Sequence, residues 1–511
     1  MRTAASGRRV FFCSVGALLL ARLLAAATLF AGDAAGAADA AAAPAAALAR
    51  LKNAGPPAGE GHAVPSVDAA FRTDWQTVAD AGPEGLALVR AELAKLPKNA
   101  DDEDSYFRIL AGALLWRLAG IDAADEIGRL WSDPELDLDL APSIVHAAAY
   151  QAARARDPRV LPVLFASFRA TEAFVTLPRG DLSLQWPETC EFVWASFGPG
   201  GRAALLKLLI DSKDENQRAT AAWLLARDAY LPALPALRGL ARGRAGFDRD
   251  MAVHALGVFG HPDDFEFLAA GLYAAARRGA LDADAEVFLD AAVEYGDLRF
   301  APSLANLLAA LSAAPAPGTE IDGDALEAET ARDHVRSAIL DLLTVEGLAA
   351  FRGHASNLKG PERANVDALV AGVFAGLGLP AHEYDALPPD EKADAVALHH
   401  DIAQADYQPV PADAHGPREL WHHTLARLRD GPRSPFGAAD GEEFDGLPPR
   451  RLIAIATPAD LDDLLEARAA VARRPTREAL EILDVVNAIA IRIARLSYRQ
   501  QAGVSPRVTT P

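Results

Sequence analysis

Met251-Ala252-Val253-His254-Ala255-Leu256-Gly257-Val258-Phe259-Gly260-His261-Pro262 is the stretch that decides the fold class of this chain. Apolar residues crowd its first nine positions, and Gly-His-Pro then breaks the run. Proline suits the start of a following helix, because the first helical residue has no intrahelical partner for an N–H and proline's fixed φ already matches. Beyond the break, Phe265, Leu268 and Leu272 stand three and four residues apart, so they share one face of a second helix. Two amphipathic helices joined by a short turn make a hairpin.

The same pattern recurs. Windows of 18 residues starting at Gln76, Leu114, Gln151, Phe192, Trp223, Ala255, Ala291 and Asp341 align without internal gaps. Their seventh and eighth positions read Gly82-Pro83, Gly120-Ile121, Asp157-Pro158, Gly198-Pro199, Ala229-Tyr230, His261-Pro262, Asp297-Leu298 and Gly347-Leu348. The fourteenth position reads Val89, Ile127, Leu164, Leu205, Ala236, Leu268, Leu304 and His354. The eighteenth reads Leu93, Trp131, Phe168, Leu209, Leu240, Leu272, Leu308 and Leu358. Positions four apart give the second helix a buried stripe, joined at the eleventh position by Leu86, Leu161, Phe265 and Phe351 and interrupted by Arg202. A hairpin of this size cannot bury its apolar face alone; stacked on its neighbours it can.

Ala255-Leu256-Gly257-Val258-Phe259-Gly260-His261-Pro262 resembles the bacterial form of the HEAT-repeat family, in which an Ala-Leu-Gly-like helix end meets a proline turn. The family often carries arginine in its first helix; Arg218 and Arg336 occupy that register and the other windows lack it. The resemblance covers about residues 70–360 and implies an all-α fold: an α-solenoid of about eight degenerate hairpins with a helical C-terminal extension. Arg451 to Ala467 reads as a further hairpin, and Arg477 to Arg499 as a closing helix with apolar Leu480, Ile482, Leu483, Val486, Ile489 and Ile491. Some HEAT-like proteins are bilin lyases, but no residue set in this chain supports pigment chemistry.

Around this body the chain divides by composition. Residues 1–37 read as an export signal: basic residues, an apolar run from Val10 to Ala21, then small residues with Ala35-Gly36-Ala37 as a cleavage site. Arg8-Arg9-Val10-Phe11-Phe12 resembles a twin-arginine signal, departing from it at Gly7. Residues 38–66, rich in Ala, Pro and Gly, read as a flexible leader. The solenoid follows over 67–375, with long inserts at Thr171 to Glu191 and Ala313 to Ala331. Residues 376–449 form a Pro/Gly-interrupted segment with helices at Asp390 to Gln404 and Pro417 to Asp430, and residues 450–511 close the chain.

Composition excludes several classes of function. The two cysteines, Cys13 and Cys190, leave one thiol after signal removal, too few for a disulfide framework, a multi-thiolate zinc site or an iron-sulfur cluster. The full chain carries a net −20. Residues 1–37 hold four arginines and one aspartate, so the exported product has 46 basic and 69 acidic side chains, a net −23 that repels nucleic acid.

Five of twelve histidines, His399, His400, His415, His422 and His423, fall within 25 residues. Glu419 and His422 are three apart on one helix, a spacing that paired carboxylate-histidine metal sites use, but the neighbouring helix has no matching pair, and adjacent His399 and His400 point about 100° apart. Solvated or capping histidines are the simpler reading; one zinc or copper ion is the alternative. Glu320, Asp322, Gly323 and Glu329 echo a calcium loop whose first ligand position would be Gly318, which has no carboxylate. Asp440-Gly441-Glu442-Glu443-Phe444-Asp445-Gly446 reads as another solvated acidic loop. His382-Glu383 lacks the second histidine of a zinc-protease motif, and there is no Gly-x-Ser-x-Gly elbow or Walker loop. Cys190 reads as a buried inert thiol, and Trp116, Trp131, Trp194 and Trp223 as core.

The sequence therefore designates no catalytic residue, no cofactor and no metal ligand. It predicts an exported, periplasmic or secreted, monomeric and non-enzymatic scaffold or adaptor that binds another protein, with no nucleic-acid partner and no stable membrane insertion after signal removal. A metal-binding protein or metal-dependent enzyme using residues 399–423 is the alternative.

Overall fold

Helix follows helix along the chain, as the repeated 3.6-residue apolar spacing requires. The computed structural model describes residues 44–54, 69–97, 101–171, 175–176, 183–184, 188–312, scattered positions between 330 and 364, 417–430, 456–474 and much of 479–495. The fold is all-α; the only strands among the described residues are β1 (Val175–Thr176) and β2 (Ser183–Leu184), an antiparallel pair in the first insert.

Helix α1 (Pro44–Lys52) is followed by hairpins of a first and a second helix. These are α2 (Ala69–Asp80) with α3 (Pro83–Leu93), α4 (Asp102–Ala119) with α5 (Ala124–Trp131), and α6 (Pro142–Ala153) with α7 (Leu161–Ser167). Next come α8 (Glu188–Phe197) with α9 (Arg202–Asp211), α10 (Glu215–Arg227) with α11 (Leu234–Ala241), α12 (Phe247–Phe259) with α13 (Phe265–Arg278), and α14 (Ala283–Tyr295) with α15 (Ala301–Ser312). Later helices are α16 (Pro417–Asp430) and α17 (Leu461–Ala472). The eighth window, from Asp341 to Leu358, lies outside the described residues.

The turns refine the sequence reading. Proline was expected to open an α-helix directly, and Pro83 does. Elsewhere a 3-10 turn comes first, as at Pro158–Val160, Pro199–Gly201 and Pro262–Asp264. The Asp157 and His261 side chains accept hydrogen bonds from the N–H two residues on, which holds these turns tight.

The fifth window is out of register by one residue. Ala229 adopts φ +49°, its N–H bonds Ala226 O, and the Tyr230 N–H bonds Leu225 O, so α10 ends in a Schellman motif with alanine in the left-handed position. The 3-10 turn starts at Leu231, and the buried pair on α11 is Leu237 and Ala241, not Ala236 and Leu240. A gap-free alignment could not show this, because the extra residue sits in the cap and leaves both helices intact.

A second correction falls on the leader. Residues 44–52, expected within a flexible segment, form α1, whose Ala47, Leu48 and Leu51 are buried where α1 packs on α2 and α3. Arg50 makes a two-pronged ion pair with Asp74. Its short apolar stripe, Ala47-Leu48 with Leu51, supplies a helical face that composition alone concealed.

The described residues group into two units. The first comprises parts of 1–224, 425–435 and 462–486, the second parts of 225–424, 436–461 and 487–511. In the first, first helices pack on one another from α4 to α6 to α8, and second helices from α5 to α7. Its core holds Trp75, Tyr106, Phe107, Trp131, Tyr150, Phe168, Phe192 and Trp194, all fully buried. In the second, α12 packs on α14 and α13 on α15, around Leu256, Leu268, Leu272, Leu289 and Phe300. Burying each such side chain contributes about 1.5–3 kcal/mol.

Candidate functional site

Apolar content decides which faces are enclosed. In α6 every residue from Pro142 to Tyr150 is buried, and in α8 every residue from Thr189 to Phe197. The second helices bury one stripe: α9 covers only Leu205 and Leu209, and α13 only Leu268, Ala269, Leu272 and Ala275. Their other residues are half-buried or exposed, including two exposed large apolar residues, Ile210, 62% exposed on α9, and Tyr273, 39% exposed on α13. Each directly follows its 18-residue window, in the fourth and sixth repeats respectively.

The chain's own end covers part of the first-helix layer. In the first unit, the Ala472 carbonyl at the end of α17 accepts hydrogen bonds from Tyr150 Oη at 3.0 Å and Ser196 Oγ at 3.2 Å. Arg156 donates to both Glu466 oxygens at 2.6 Å and to Phe197 O at the end of α8. Arg202, the residue that interrupts the apolar stripe, bonds Asp462 at 2.5 Å.

In the second unit the anchor is Arg495, within the segment expected to be the closing helix. Its guanidinium donates to Val258 O at 2.8 Å and Tyr295 O at 3.1 Å, and also to Gly257 O and Glu294 O. These carbonyls lie in the last turns of α12 and α14, where helix geometry leaves acceptors without intrahelical donors. A cation there also meets the negative ends of both helix dipoles. Gly260 and Gly296, at φ +60° and +67°, end the two helices, and a Cβ at Gly260 would fall 2.8 Å from Arg495 Nε.

The sequence-designated histidines come together nowhere in the described residues. His399, His400 and His415 lie outside them, as do the side chains of Glu419 and His423. His422 is exposed on α16, while Trp421, Thr424, Leu425 and Leu428 form the buried face. Among the described residues, no group of three or more His, Cys, Asp or Glu is placed to hold a metal ion. The calcium-like segment 318–329, the acidic run 440–446, His382-Glu383 and Cys13 lie outside the described residues. No helix among the described residues is long and apolar enough to cross a membrane.

Cys190 lies inside α8 with no exposure; burial pushes its thiol well above the usual range, against a hydrogen bond with Thr220 that lowers it. A neutral thiol is a poor nucleophile. Trp131 and Trp194 are core, while Trp116 and Trp223 are half-buried. Two histidines absent from the sequence reading of sites are enclosed on first helices. His146 on α6 has 1% exposure; burial holds it down to about 4, and a contact of its Nε2 with Ala170 O at 3.1 Å offsets this in part. Burial also lowers His254 on α12, but Glu294 and Asp290 pull the other way.

Sequence reasoning missed Arg156 and Arg495 because their partners are remote: Arg495 bonds residues about 200 positions away. The available signal was an arginine at the end of an apolar i, i+4 stripe, together with Gly260 and Gly296 as helix stops. Compared with protein-family models, curated proteins and solved structures, the chain matches none of them.

Proposed function

We propose that this chain is an exported, non-enzymatic α-solenoid of HEAT-like hairpins that binds another protein, serving as scaffold or adaptor. The observation that supports this reading is the contrast between the two helix sets. First helices such as α6 and α8 are enclosed, whereas second helices such as α9 in the first unit and α13 in the second each bury a single stripe. Series of like helices give repeat proteins their extended binding surfaces. Ile210 is an apolar anchor on a second helix of the first unit and Tyr273 one on a second helix of the second unit, and tyrosine is favoured at interfaces because it joins apolar area to a polar tip. The net charge argues for a protein partner with basic character over a nucleic acid.

Site-specific photo-crosslinking tests the reading. Probes at Ile210 and at Tyr273, in cells that export the protein, are expected to give a discrete adduct with one partner, and Ile210→Glu or Tyr273→Ala to lower its recovery by tenfold or more. Failure of both probes to give any adduct would overturn the second-helix surface. Cell fractionation tests the export signal: the product is expected outside the cytoplasm and shorter by about the length of residues 1–37.

A further inference from the structure

We infer that Arg154, Arg156 and Arg473 of the first unit form a binding site for a phosphate group. This goes beyond the second-helix surface proposed above and does not depend on it. Arg154 and Arg156 lie just past the end of α6, and Arg473 directly follows α17. The contact between these two helix ends gathers the three side chains. Tyr150 Oη donates to Ala472 O at 3.0 Å, and the Arg154 guanidinium stands 6.0 Å from the centre of the Tyr150 ring. Arg156 Nη2 donates to both Glu466 oxygens at 2.6 Å, and Glu466, seven residues before Arg473, shares its helical face. Burial and the like charge of Arg156 hold the Arg473 guanidinium below its usual range; Glu466 opposes this and Arg154 adds to it.

Three cations thus meet one carboxylate, in a chain whose net charge is −20. Arg154 makes no hydrogen bond or ion pair among the described residues. Half-buried Arg473 donates through Nε to Ala469 O at 3.0 Å, and neither terminal nitrogen has an acceptor among the described residues. Nearby Arg202 pairs with Asp462, and Arg159 with Asp157, so those charges cancel. Three arginines less Glu466 leave two positive charges, of which the ends of α6 and α17 each offset about half a charge. A phosphate group, with about 1.5 to 2 negative charges near pH 7 and several acceptor oxygens, matches that excess better than a single carboxylate. Arginine forks grip phosphate two-pronged. The backbone supports the same reading. Arg156 adopts φ +54°, a conformation that glycine or asparagine would take with less strain, and its N–H closes on Ala153 O, which turns the chain back toward α17. Such strain gathers at ligand sites. Gly198 leaves room for the fork, since a Cβ there would stand 3.0 Å from Arg156 Nη2.

The test titrates inorganic phosphate into the full chain by isothermal calorimetry, with ionic strength held constant by sodium chloride. One site is expected, weakened about tenfold or more by Arg473→Ala and about threefold or more by Arg154→Ala, whose exposed side chain can be cut back without loss of a hydrogen bond. Glu466→Gln is expected to tighten binding, because it removes the carboxylate that competes with the ligand for Arg156. Far-UV circular dichroism of all three variants is expected to match wild type. A parallel titration with glycerol phosphate distinguishes the sources of the group: tighter binding of inorganic phosphate assigns the free anion, tighter binding of glycerol phosphate a phosphate monoester. Absence of binding of either at millimolar concentration, equal affinity in wild type, Arg154→Ala and Arg473→Ala, or weaker binding in Glu466→Gln would overturn the site.

Discussion

The two units hold their C-terminal segments by opposite means. In the first, side chains of the repeats reach out: Arg156 to Glu466, Arg202 to Asp462, and Tyr150 and Ser196 to the Ala472 carbonyl. In the second, the C-terminal segment reaches in, and one arginine takes main-chain carbonyls at two helix ends. The first arrangement relies partly on ion pairs open to water; Arg156 and Glu466 remain 35% and 37% exposed, and Asp462 73%. Exposed pairs contribute little, because solvent screens them and long side chains lose freedom. Satisfying orphan carbonyls with a charged donor contributes more. The difference teaches that count and distance of contacts are poor guides; what each group would do if left alone decides.

The strongest break of this comparison is steric. A Cβ at Gly257 would lie 2.3 Å from Ala291 O, a main-chain atom that cannot move without shifting α14. Gly257→Val is expected to cost about 3 kcal/mol. Hydrogen exchange should locate the loss in the second unit while α6 and α8 stay protected.

Acid sharpens the comparison from the other side. Unfolded, His146 takes a proton near 6.5; folded, it resists to about 4. The unfolded chain therefore binds more protons between these values, and stability is lost as pH falls from 6.5 toward 4, by up to about 3 kcal/mol. His146→Gln is expected to flatten that slope in urea melts of the first unit. Burial lowers His254 in the second unit as well, so it adds a slope of the same sign.

Arg495→Ala comes next, at roughly 2 kcal/mol, from helix-end carbonyls left to water. Thermal melts should show it confined to the second unit. The smallest effect belongs to the exposed pair: a double-mutant cycle on Arg156→Ala and Glu466→Ala is expected to return about 0.5–1 kcal/mol, falling further at high salt. A coupling well above that would mean the first unit anchors its end as firmly as the second.

Much of the local architecture was legible in the residues. Gly82-Pro83, Asp157-Pro158, Gly198-Pro199 and His261-Pro262 each mark a turn between two helices, as glycine freedom and fixed proline φ dictate. The stripe Ile127 with Trp131, or Leu268 with Leu272, is buried as its spacing implies. Ala229 escaped notice because nothing in its side chain announces a left-handed cap; the six-residue hydrogen bond of Tyr230 to Leu225 forces it. The His-rich segment drew the eye by composition, yet His422 turns outward beside buried Trp421, because one apolar face orients the whole helix.

By itself the sequence determined the all-α class, the order of the described hairpins and the buried stripe of second helices such as α5, α9 and α13, because helical periodicity and proline turns act over a few residues. Tertiary structure alone decided that α1 packs on the first hairpin, that Arg202 finds Asp462, and that Arg495 closes α12 and α14. Those outcomes join residues tens to hundreds of positions apart. They depend on which carbonyls a helix end leaves unpaired and which charge can reach them, and no local pattern encodes either.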